Sequence, residues 1–135
     1  MKRALLVLPA VLLSVGGVMH LAAFGKAADA VAGSTLPVFF GNSLKALWVM
    51  DSCGMFVLSA VCVALVIRPH AASRTVVALL SLIPLSTAVL LYLFIGRNFS
   101  AAHMLALAGA SMAAGAWMPL SETTVPTHRN PSWQP

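Results

Sequence analysis

Three ionisable side chains lie inside long apolar segments of this sequence, and they have the greatest capacity for chemistry. They are His20, Asp51 and His103, each in a different segment. A charged side chain at the centre of a bilayer is unfavourable by about 2.5–3.5 kcal/mol on insertion scales, so such residues usually face one another or a partner. We therefore predict that the three line one polar pocket. Trp48, which lies one helical turn before Asp51, shares its face and is expected in the same site.

Two kinds of chemistry fit this predicted pocket. His20 and His103 on facing helices could ligate a metal ion or a haem, with Asp51 orienting one imidazole. The same side chains could instead hold helices together by satisfying polar atoms that lipid would leave unpaired. Spacing does not decide between them, because the sequence has neither H-x-x-x-H nor E-x-x-H. Four further polar residues are expected at the rim of the pocket: Lys45, Ser52, Arg97 and Asn98.

The composition indicates which solvent surrounds these residues. Of 135 residues, 60% are apolar and 8% are charged, and the mean hydropathy is +0.94. Soluble domains have roughly 45–50% apolar and about 25% charged residues. This small number of charges could not cover a water-exposed surface. The sequence therefore predicts an integral membrane protein whose main partner is the lipid bilayer.

Four segments are long enough to cross that bilayer, which requires about 20 apolar residues. They must be helices, because lipid offers no partners to backbone polar groups. We predict an all-α fold, an antiparallel up-and-down bundle of four transmembrane helices within residues 1–120. The spans are residues 5–24, 44–67, 75–96 and 101–118. The first could alternatively be a secretory signal ending near Ala28-Asp29-Ala30, although its apolar run is longer than the usual 7–15 residues or so.

The segments between and after the spans are predicted to be irregular. Residues 26–43 contain Gly33, Pro37 and Gly41 and are not expected to form a continuous helix. The C-terminal tail, residues 121–135, contains three prolines and is expected to be disordered or to lie on the membrane surface. This organisation gives one domain and one tail.

The antiparallel order places the three ionisable residues at one end of the bundle. His20 lies about 6 Å and Asp51 about 10 Å from the ends of their helices, at about 1.5 Å per residue. We expect a multi-pass protein of the cell membrane, of the inner-membrane type. The distribution of cationic residues predicts that both termini lie in the cytoplasm. Five of them then lie on the cytoplasmic side (Lys2, Arg3, Arg68, Arg74 and Arg129) and three outside (Lys26, Lys45 and Arg97).

Small residues predict where helices approach each other closely. In the fourth span Ala102, Ala106, Ala110 and Ala114 recur at every fourth position. Because small residues let helix backbones meet in lipid, we expect this stripe to contact a neighbouring helix.

The sequence leaves three functions open. The favoured one is an accessory or structural subunit, either of a larger membrane complex or of a homo-oligomer. The alternatives are a protein that binds a ligand, metal or haem in the His/Asp pocket and a small proton-linked carrier. In length and span count the chain resembles the small multidrug exporters, which carry a glutamate in the first span. That span has no acid here, so Asp51 would have to replace it. Scattered cations argue against nucleic-acid binding. We do not expect an enzyme, because the sequence has no phosphate loop or nucleophile elbow.

Overall fold

A computed structural model describes residues 2–68 and 71–117, and every regular element in these ranges is an α-helix. The prediction of an all-α fold is confirmed. Three stretches, Leu5–Ala32, Val38–Ile67 and Arg74–Phe94, are long and apolar enough to cross a membrane. The tail predicted at 121–135 lies outside the described residues. The five helices are α1 (Lys2–Ala22), α2 (Phe24–Ala32), α3 (Val38–Ile67), α4 (Arg74–Phe94) and α5 (Ser100–Trp117).

The region between the first two predicted spans is more helical than the sequence indicated. Helix α2 continues from the end of α1 to Ala32, and α3 begins at Val38, so only residues 33–37 are irregular. Pro37 is the N-cap of α3, and its extended backbone (φ −53°, ψ 143°) means that the helix begins at Val38 and not earlier. Gly41 lies within α3 and does not interrupt it. Its missing side chain instead leaves room for α2 to pack against α3. A Cβ atom on Gly41 would lie 3.0 Å from Cγ1 of Val31 in α2.

Contacts between side chains define how the helices run. Ser14 in α1 meets Ser59 in α3, whereas His20, further along α1, meets the earlier Ser52, so α1 and α3 are antiparallel. Helix α5 packs against both α1 and α4. The closest backbone approaches therefore follow the order α3, α1, α5, α4. Side chains of these four helices fill one core, with Leu13, Met55, Cys62, Ala88 and Met112 among its buried members.

The contact face of α5 corrects the predicted alanine stripe. Ala102 is fully buried, but Ala106 is only half-buried, and Ala110 and Ala114 are exposed. A stripe at every fourth position drifts by about 40° per step around a helix of 3.6 residues per turn. The buried face instead alternates steps of three and four, as in helices that pack along their whole length. Its residues are Ala102, Leu105, Gly109, Met112 and Ala116.

The helices differ in length. Helix α3 has 30 residues and α5 has 18, so α3 is longer by roughly 18 Å at about 1.5 Å per residue.

Helix α2 packs against α3 and the end of α1. We call this part, residues 24–47, the α2–α3 extension. It carries apolar side chains that are largely exposed, among them Val38, Phe39 and Phe40.

A serine pair between α1 and α3 gives a first testable prediction. The Ser59 hydroxyl lies 2.7 Å from both Ser14 Oγ and the Ala10 carbonyl oxygen. We expect Ser59→Ala to lower the free energy of unfolding by about 0.6–1.7 kcal/mol, the range for hydrogen bonds between membrane helices. Thermal unfolding in one detergent measures this. Ser86→Ala is the control, since exposed Ser86 donates only within its own helix. Equal effects of the two substitutions would contradict the prediction.

Candidate functional site

The polar cluster lies where the last turn of α1 meets α3. Nδ1 of His20 lies 2.9 Å from the hydroxyl oxygen of Ser52, which is 1% exposed. The same hydroxyl lies 3.1 Å from the Trp48 carbonyl oxygen. Its one proton can be donated to either acceptor, so Ser52 links the imidazole of α1 to the backbone of α3. Ser52 was predicted at the rim of the pocket, and the structure places it at the buried centre of this cluster.

Trp48 fixes the position of the His20 ring. The two rings are stacked with centroids 4.2 Å apart and planes 10° from parallel. The indole Nε1–H donates to the backbone carbonyl oxygen of His20 at 2.8 Å. Carbonyls in the last turn of a helix lack partners within that helix, so the indole also caps the end of α1. A single side chain therefore holds both the ring and the backbone of His20.

Asp51 completes the cluster from the open side. Its Oδ2 atom lies 3.7 Å from Nε2 of His20, and the side chains of His20 and Asp51 are 26% and 44% exposed. When Ser52 donates to the Trp48 carbonyl, Nδ1–H of His20 donates to the Ser52 hydroxyl; when Ser52 instead donates to Nδ1, a neutral ring carries its proton on Nε2, facing the carboxylate. The structure therefore brings together three of the four predicted ligand-binding residues: His20, Trp48 and Asp51. Roughly half of the Asp51 side chain still faces outward from the chain.

His103 does not join them, which corrects the predicted three-residue pocket. It is exposed on α5, with Nδ1 3.2 Å from the carbonyl oxygen of Phe99 in the preceding turn. Its ring meets the ring of Tyr92 in α4 edge to face, with centroids 5.4 Å apart. In the part of the chain that the structure describes, no three His, Cys, Asp or Glu side chains are close enough to hold a metal ion. His103 lies in the first turn of α5, and its ring faces α4.

The remaining rim residues are dispersed. Arg97 and Asn98 are exposed in the connection between α4 and α5. Lys45 is half-buried and lines a cavity of about 280 Å³ between α2 and α3. Sequence analysis missed this cavity because residues 26–43 were expected to be irregular. The group of small residues Ala27, Ala28 and Ala30, all in α2, was the sequence feature that could have indicated the cavity.

The geometry of His20 limits its chemistry. Both ring nitrogens face protein groups, Ser52 on one side and Asp51 on the other. Binding a metal or haem iron through this ring would break one of those contacts. The arrangement therefore favours an interhelical clamp over a cofactor site shared by His20 and His103.

Comparison with known proteins identifies no relative. No family model, curated protein or solved structure matches the chain.

Proposed function

We propose that the chain is a multi-pass membrane protein with four antiparallel spans and acts as an accessory subunit of a membrane complex. Helix α5 would be the fourth span. Its 18 residues measure about 27 Å, slightly less than the ~30 Å hydrocarbon core. Its contacts with α1 and α4 support this role, because a short, alanine-rich helix is better tolerated where neighbouring helices shield it from lipid. The charge pattern supports the cell membrane and cytoplasmic termini.

Most of the surface of the three spans faces outward from the chain. Within the apolar windows of Leu5–Ala32, Val38–Ile67 and Arg74–Phe94, 28%, 33% and 22% of residues are buried in the chain. Most of each span is therefore available to lipid or to another protein. Lipid alone is a suitable neighbour for nearly all of this surface, which consists of aliphatic and aromatic side chains.

Asp51 is the observation that carries the proposal. Its carboxylate is 44% exposed even with His20 beside it. The neighbouring Met50 and Leu47 are 71% and 59% exposed, so the acid lies in an apolar surface. A carboxylate in such a surface is stabilised by a cation or a hydrogen-bond donor. A partner helix that presents an arginine or lysine would supply that donor, and we place its contact on α3 around Asp51.

The partner contact can be tested by measuring the mass of the complex. Membranes of the native host would be solubilised in a mild detergent, and the tagged full chain would be analysed by size exclusion with light scattering. We expect a stoichiometric complex heavier than the 14.1 kDa chain. Asp51→Asn should release the chain from it, with at least about tenfold weaker association, since truncating one partner of a buried charged pair costs about 2–5 kcal/mol.

Asp29→Asn is the matched control, because Asp29 is an exposed acid on α2. It should leave the complex unchanged. A chain that is monomeric without any substitution, or a complex that survives Asp51→Asn, contradicts the proposal. A complex built only from copies of this chain would make it a homo-oligomer. The absorption spectrum of the same sample tests the cofactor alternative, which a haem band that disappears in His20→Ala would favour.

A further inference from the structure

The cavity between α2 and α3 has walls that are almost entirely apolar. Helix α2 contributes Phe24, Val31 and three alanines, and α3 contributes Leu44, Lys45 and Trp48. The alanines keep α2 from filling the space against α3. At about 280 Å³, the cavity is near the lower end of the roughly 300–1,000 Å³ typical of ligand pockets. It has room for one slender apolar group.

Lys45 is the only charged residue in these walls. It is half-buried, and no carboxylate in the described ranges forms a salt bridge with it. The acid on α2, Asp29, is exposed and does not line the cavity. Side chains on a helix lean toward its N-terminus, so the lysine stem runs away from Trp48 toward the free end of the extension. Long cationic side chains place the stem on apolar surface and the ammonium at its edge. Lys45 can therefore place its ammonium at the edge of the cavity while its stem lines the wall.

Trp48 also lines the cavity, and His20 of α1 fixes its position. Its ring is stacked on His20, and its N–H is bonded to the His20 carbonyl oxygen. The cavity thus has a fixed aromatic wall from Trp48, further apolar walls and one cationic side chain. This arrangement is complementary to a molecule with one anionic head and one apolar chain.

We propose that the α2–α3 cavity binds a single-chain amphiphile with a carboxylate head, of the fatty-acid class. The carboxylate pairs with the Lys45 ammonium, and the chain lies between the α2 alanines and Trp48. A cavity of this volume favours one chain over the two of a phospholipid. This inference goes beyond the accessory role and is independent of it, because the cavity involves α2 and the start of α3 and not the exposed side of Asp51.

Quenching of Trp48 fluorescence by a brominated fatty acid provides the test, because bromine quenches only at contact. The chain has three tryptophans, so Trp117→Phe and Trp133→Phe leave Trp48 as the only tryptophan, and excitation at a wavelength that Tyr92 does not absorb isolates its emission. In the purified full chain we expect saturable quenching that unlabelled fatty acid reverses. Lys45→Met should weaken binding about tenfold, as for loss of a charge-assisted hydrogen bond, whereas Lys45→Arg should retain it. Lys26→Met, at an exposed lysine on α2, is the matched control.

A second pair of variants tests the cavity itself. Ala28→Phe should fill it and abolish saturable quenching, whereas Ala46→Phe, at an exposed alanine of α3 outside the walls, should not. Quenching that never saturates would overturn the proposal. So would equal binding of a brominated alcohol of the same length, equal competition by an anionic phospholipid, or unchanged binding in Lys45→Met. None of these outcomes depends on whether the chain has a protein partner, so the two proposals can fail separately.

Discussion

Gly109→Leu should separate α4 from α5 and lower the free energy of unfolding by at least about 3 kcal/mol, the upper end for an overpacked core. A Cβ atom on Gly109 would lie 2.6 Å from Cγ of Leu85 and 3.0 Å from the carbonyl oxygen of Ser81. Leu85 can change rotamer, but the Ser81 oxygen belongs to the backbone of α4. It can move only if the helix moves, and a leucine at position 109 needs several times the space of a methyl group.

Gly54→Ala provides the matched control for the smaller change Gly109→Ala. Gly54 lies in the interior of α3, and a Cβ there would meet no heavy atom within 4 Å. Replacing an interior helical glycine by alanine raises helix stability by about 1 kcal/mol. In thermal or denaturant unfolding in one detergent, Gly54→Ala should be neutral or stabilising, and Gly109→Ala should be destabilising. A Gly109→Leu protein that unfolds like the unmodified chain would show that α4 and α5 do not approach here.

The sequence carried enough information to predict the α1–α3 half of the polar cluster. Asp51 in an apolar segment must face a polar group, and His20 and His103 were both candidates at similar depth. Depth can be calculated because each residue adds a fixed rise along the helix axis. The rotation of each helix depends on which of several apolar faces packs, and all faces of these spans are apolar. This is why the sequence did not indicate which helix the His103 ring contacts, and the ring lies against Tyr92 of α4.

Packing details were less predictable for the same reason. Alanine was expected to mark the contact face of α5, yet alanines occur on every side of that helix. Among the glycines of the described residues, Gly109 has the closest approach to a neighbouring helix, and even a methyl group is too large there. Between the first two spans, Gly41 was expected to break the helix, but its missing side chain accommodates Val31. A glycine in a membrane segment can serve either purpose, and only the neighbouring helix decides.

Trp48→Ala should lower the free energy of unfolding by about 2–3 kcal/mol, somewhat less than the 3–5 kcal/mol typical of a fully buried tryptophan, because Trp48 is half-buried. The substitution removes the ring stacked on His20 and the hydrogen bond to the His20 carbonyl oxygen. It also removes the aromatic side chain that lines the α2–α3 cavity. Loss of the stack should free the imidazole and weaken its contact with Ser52, so α1 should separate from α3 at this end.

Two further variants separate these effects. Trp48→Phe keeps an aromatic ring but removes the N–H donor, and should lower stability by about 1 kcal/mol, the usual net value of one hydrogen bond. Trp117→Ala is the control, because Trp117 is 79% exposed and surface substitutions usually change stability by less than about 0.5 kcal/mol. Unfolding in the same detergent, followed by circular dichroism, ranks the three. If Trp48→Ala is no more destabilising than Trp117→Ala, the indole does not clamp α1 to α3, and the cluster around His20 must be held by Ser52 and Asp51 alone.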